Sequence, residues 1–223
     1  MSAARAPRWR RASVLSRLQR GLEVLYRVET NLQVDAFVID EEQRKDAGME
    51  RAPREQLLMR EENGELGLAL FVDKAALANL ERNDPNRRLD DTNFADFCLA
   101  LEGVSHFVYL ALCAAGHRRV SVLELELQAE VDKFVCCVLL QGGAASGGTL
   151  RRRLYEDFHF ADDLDGDERE RYRTANAEAA RYADGLERRY VRDARVPDML
   201  AELRRFYRMG LEDKRGLIRR HAG

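Results

Sequence analysis

Two consecutive segments in the middle of the chain are apolar nearly all the way round. Residues 93–115 contain Phe94, Phe97, Cys98, Leu101, Val104, Phe107, Val108, Leu110 and Leu112, with Asp96, Glu102 and His106 as the only acidic or imidazole groups. Residues 122–140 set Glu124, Glu126, Glu130 and Asp132 among leucines and valines. A helix with no polar face has to be enclosed by the rest of the protein. The short link at residues 116–120 makes the two an antiparallel helical hairpin. A charge carried into such a hairpin is desolvated and needs a partner. The same pair of helices therefore organises the core and marks where chemistry should be sought.

The flanking sequence builds around that hairpin. Val14, Leu15, Leu18, Leu22, Leu25 and Tyr26 recur at three- and four-residue spacing, so residues 13–28 are expected to be helical. Residues 32–39, rich in valine, isoleucine and phenylalanine, read as a strand, and 40–54 as a loop with a helical turn. Residues 56–62 and 65–72 flank Asn63-Gly64, a dipeptide suited to a two-residue hairpin turn. After a helical turn at 74–81 and a loop at 82–91, Asp91 or Thr92 can cap the long apolar helix. Ser121 and Glu124 have the spacing of a capping box. The glycines of 141–149 follow a helix and lack a P-loop lysine, which suggests a linker. Helices are expected near 151–157, over 167–191 with a stripe of Tyr172, Ala175, Ala179, Tyr182, Leu186 and Tyr190, and over 197–209 and 211–220. Asp162, Asp163, Asp165 and Asp167 gather where the second of these, the long helix, begins, as capping and the macrodipole favour.

The expected fold is α+β and mainly α-helical, with a small antiparallel sheet and its β-hairpin near the N-terminus packed against a helical bundle. Residues 13–140 would form the core, including the helical hairpin 93–140. Residues 150–223 would dock on it as a helical extension of one globular unit, and 1–12 would be a basic disordered tail.

Charge and cysteine usage bound the function further. The net charge of −2 hides six arginines and no acid in residues 1–20, and an excess of +4 in residues 192–223, leaving −12 for the remainder. Basic ends on an acidic body can meet an anionic surface. Zinc-finger, RNA-binding and glycine-clamp motifs are all lacking, so nucleic-acid binding has weak support. Of the 37 basic residues only Lys45, Lys74, Lys133 and Lys214 are lysines. Cys98, Cys113, Cys136 and Cys137 lie in apolar segments without a C-x-x-C pair, which fits a reduced cytoplasmic compartment. No run of 18 apolar residues is present, so a membrane span is not expected.

Glu102 and His106 are four residues apart and share a helix face, as do Glu126 and Glu130 on the next helix. Antiparallel packing can bring both pairs into one layer of three carboxylates and an imidazole. Those donors suit a divalent manganese, iron or zinc ion. The competing structural reading pairs His106 with Glu102, and Glu130 with Lys133 three residues on. Glu156 and His159 have the Glu-x-x-His spacing of di-iron helical bundles, but the second motif of those proteins is missing. His159 stands only as a second imidazole for the layer. No complete nucleophilic constellation or glycine-framed serine is present. The leading expectation is a non-enzymatic, partner-binding or self-associating cytoplasmic protein. The alternatives are a metal-dependent hydrolase or oxidase using Glu102, His106, Glu126 and Glu130, and a weak binder of nucleic acid or anionic surfaces through its basic ends.

Overall fold

The computed structural model describes residues 12–46, 53–62, 65–142, 147–157 and 165–221. The fold is α+β and largely helical, with one small three-stranded sheet. Helix α1 (Val14–Tyr26) starts where Ser13 Oγ accepts the Ser16 N–H. Strands β2 (Glu55–Glu62) and β3 (Glu65–Val72) pair antiparallel from Glu55↔Val72 to Glu62↔Glu65, the hairpin expected around Asn63-Gly64. The turn residues themselves lie outside the described residues.

The sheet is mixed rather than purely antiparallel. Strand β1 is only Val38–Ile39 and runs parallel to β3. Of the rest of the expected 32–39 strand, Val34–Phe37 is a 3₁₀ turn and residues 32–33 are irregular. Gln19 explains the change. Its side chain accepts the Val34 N–H at 2.8 Å and donates to the Leu32 carbonyl at 2.7 Å. A buried amide thus satisfies backbone groups that would otherwise need a neighbouring strand. Helix α2 (Glu41–Asp46) follows, capped by Asp40.

Helix α3 (Lys74–Arg82) leads to α4 (Phe94–Ala115). Neither Asp91 nor Thr92 caps α4. Asn93 holds the N-cap position and spends its amide on the Asn83 and Arg88 carbonyls, at 2.9 and 2.8 Å. Helix α5 (Val122–Leu140) begins with Ser121 accepting the Glu124 N–H at 3.2 Å. The reciprocal half of that capping box is absent, because Glu124 takes bonds from Tyr109 and Arg118, each at 2.7 Å. By length and composition α4 could cross a membrane, and most of it is buried inside the protein.

Gly147, Gly148 and Thr149 open helix α6 (Gly147–Tyr155) rather than belonging to a linker. Helix α7 (Gly166–Leu186) has a complete capping box between Asp165 and Glu168, and ends in a π-helical turn, Glu187–Val191. Helices α8 (Val196–Arg208) and α9 (Leu211–His221) follow. Helix α7 packs along α5, and Tyr182, Phe206 and Tyr207 share one buried cluster with Phe97, Phe107 and Phe134. Arginines of α8 close the end of α1: Arg204 donates to the Leu25 carbonyl and Arg208 to that of Arg27, both at 2.9 Å. They supply donors that the terminal carbonyls of a helix otherwise lack.

Candidate metal centre

The α4–α5 seam carries the candidate site. Glu102 and His106 face α5 from one helix, and Glu126, Glu130 and Lys133 face α4 from the other. One donor atom from each of Glu102, His106 and Glu126 lies within 4.8 Å of the other two. His106 Nε2 is 3.6 Å from Glu126 Oε2. That separation is too long for a hydrogen bond, and Nε2 is buried without a hydrogen-bond partner. Two donors bound at about 2.1 Å to one ion stand roughly 3.0–3.5 Å apart, depending on the coordination angle. The spacing is close to that of two ligands around a shared cation.

The fourth carboxylate comes from the sheet. Glu55, the first residue of β2, places Oε1 4.0 Å from His106 Nδ1, on the opposite edge of the ring. Gly103 makes this approach possible. A Cβ there would stand 2.7 Å from Glu55 Oε1 and 2.9 Å from Leu70 Cδ1. At 4.0 Å the contact is not a hydrogen bond, and Glu55 Oε1 is itself buried without a hydrogen-bond partner; closer approach would give the carboxylate–imidazole pairing that orients a metal-bound ring.

Glu130, expected as a ligand, belongs to a second group. Its Oε1 is 2.6 Å from Lys133 Nζ, and the same ammonium lies 3.1 Å from Glu102 Oε2. The Tyr155 hydroxyl donates to the Glu130 carbonyl at 2.9 Å. The site residues are mostly enclosed, but the Glu102 side chain keeps 22% of its exposure and is the side from which solvent reaches the layer. Glu156 is exposed beyond the end of α6, apart from this layer. His159, Asp162 and Asp163 lie outside the described residues.

The electrostatics follow from four acids gathered around two basic groups. Burial has the largest influence on Glu55; His106 opposes it, Glu102 and Glu126 add to it, and the carboxyl is pushed up to about 8. Burial works against the His106 imidazolium, but the Glu126, Glu55 and Glu102 carboxylates outweigh it and raise the group to about 9. For Glu102, burial is overcome by Lys133 and His106, which hold the carboxylate below its usual range. Lys133 is likewise desolvated, yet Glu102 and Glu130 keep it firmly charged. Tyr172 of α7 lies near enough that, after burial, Glu126, Glu102 and Glu55 raise its phenol further. This layer favours positive charge.

Sequence reasoning missed Glu55. One signal was available: Gly103, set mid-helix beside Glu102. Glycine there costs roughly 1 kcal/mol of helix propensity and often marks a close approach of another group.

A separate polar cluster lies deeper in the core. Asp132 accepts bonds from Tyr26, from Ser105 at 2.6 Å and from Gln128 at 2.7 Å. The carbonyl of Gln128 accepts from the buried Lys214 ammonium at 2.6 Å, and that ammonium stands 4.2 Å from the centre of the Tyr109 ring. A shallow apolar groove of about 180 Å³ runs between α1, α4 and α5, with Gly21, Leu101 and Leu139 among its walls.

No protein-family model matches the chain, and no curated protein or solved structure is found to be similar to it.

Proposed function

We propose that the chain is a divalent-metal protein whose ion is held between α4 and α5 by Glu102, His106 and Glu126. The observation that carries this reading is the three-residue donor cluster, in which the buried Nε2 of His106 makes no hydrogen bond and faces a Glu126 carboxylate oxygen at an ion-pair distance of 3.6 Å. Imidazole with carboxylates suits manganese, iron or zinc. Three protein ligands leave coordination positions for water, as in hydrolytic and oxidative metal sites. Glu55, on the far edge of the imidazole, is the positioning group, and access from the Glu102 side suits a small substrate. The proposed compartment is cytoplasmic, in keeping with four free thiols.

The test is equilibrium dialysis of tag-free, chelator-treated protein against manganese, iron(II) and zinc. About one equivalent per chain is expected, together with its loss in His106→Gln and Glu126→Gln variants whose circular dichroism is unchanged. Protein that stays metal-free at millimolar ion would refute the reading and leave the layer a structural ion network.

A further inference from the structure

The seam contains two cation positions side by side. The first is bounded by Glu102, His106 and Glu126. The second is filled by the Lys133 ammonium, 3.1 Å from Glu102 Oε2 and 2.6 Å from Glu130 Oε1. Glu102 takes part in both. A carboxylate shared by neighbouring cations is a natural bridge for a two-metal site. We propose that Lys133 is a built-in cation occupying the second half of a seam suited to two metal ions, and that it limits the centre to one. This rests on the metal reading given above.

Three further observations support it. The donors around Lys133 resemble a ligand set more than a simple ion pair. Besides Glu102 and Glu130, the Cys98 thiol of α4 lies close enough to influence the ammonium. The residues also run along the seam in register. On α4, Cys98, Glu102 and His106 are each one turn apart, and on α5 Glu126, Glu130, Lys133 and Cys137 keep three- and four-residue steps. Finally, the choice of cation is unusual for this chain, which has four lysines among its 37 basic residues. An ammonium is a compact point charge, whereas a guanidinium is a flat fork that matches a single carboxylate. Where one positive centre must sit between two carboxylates from different helices, the chain has a lysine.

The experiment is manganese binding to the full chain, read by dialysis stoichiometry and by electron paramagnetic resonance at saturation. The wild type is expected to take one ion with the spectrum of an isolated centre. Lys133→Ala is expected to take two, with the signal changed by coupling between neighbouring ions. Lys133→Arg, which keeps the charge, should stay at one. Adding Glu130→Gln to Lys133→Ala should also return the count to one. Removing the lysine leaves two buried carboxylates unpaired, so the variant is produced in manganese-supplemented medium, and its metal content on purification reads the same number. Lys133→Gln, which retains a donor without the charge, is the second neutral variant and should likewise exceed one equivalent. Saturation of both neutral variants at one ion overturns the proposal and leaves the single-metal reading standing. Two coupled ions in the wild type overturn it as well. A wild type that binds none removes the metal reading and this proposal together.

Discussion

Gly103 is the residue on which the site's geometry turns. Its missing side chain admits the Glu55 carboxylate to the surface of α4. Alanine would gain about 1 kcal/mol of helix propensity but collide with Glu55 and Leu70, an overpacking cost of about 1–3 kcal/mol. Gly103→Ala is therefore expected to be neutral to mildly destabilising in urea while weakening metal binding at least tenfold. Unchanged affinity would show that Glu55 plays no part in positioning His106. Lys214 poses a different question. Burial pushes its ammonium down from 10.5 to about 7, with Arg118 adding to the effect and Glu124 and Asp132 opposing it. The folded protein thus holds this proton less tightly than the unfolded chain does. Its contribution makes stability rise between about pH 7 and 10.5, by on the order of 1 kcal/mol per pH unit. The slope between pH 7 and 9 should be lower in Lys214→Met, measured as a difference between the two proteins so that the thiols cancel. Much of the site was legible in helical spacing, since Glu102, His106, Glu126 and Glu130 all face the seam. Spacing could not show that Lys133 would claim Glu130, or that a strand residue would arrive from 47 positions before Glu102.

The helical hairpin was readable because two helices lacking a polar face have few ways to be buried, and they lie where their apolar composition demanded. The segment 32–39 was not, because its valine-rich composition describes a half-buried surface rather than a backbone conformation. What decided its shape was Gln19, an ordinary polar residue on the buried side of α1. Gln19→Leu is expected to leave the buried Val34 N–H unsatisfied and the part-buried Leu32 carbonyl with only the long bond from Thr30 at 3.4 Å. The loss should be about 1–3 kcal/mol, chiefly from the one buried N–H left without a partner. Hydrogen exchange at Val34 would rise before that of α4 or α5. If exchange there is unaffected, the amide is dispensable and β1 is held by β3 alone. The glycines before α6 misled for a related reason: composition marked the linker, but Gly147 and Gly148 sit in the first turn of the helix.

On the proposed metal reading, the molecule as a whole should be stabilised by binding an ion. A ligand bound only by the folded chain, at a concentration of 100 times its Kd, adds about 2.7 kcal/mol. For a chain of 223 residues that is a Tm increase of roughly 5–10 °C. Saturating manganese is expected to raise the Tm of the wild type by that amount and to leave Glu126→Gln unchanged. An equal rise in both would point to binding elsewhere. The clamp of α8 on α1 has a consequence for synthesis. Arg204 lies 179 residues beyond the Leu25 carbonyl it satisfies. At about 5–20 residues per second, the ribosome delivers it some 10–40 s later. Until then the Tyr26 end of α1 lacks its stacking partner Tyr207, and the nascent chain offers a chaperone an apolar helix end whose own partner is still unmade.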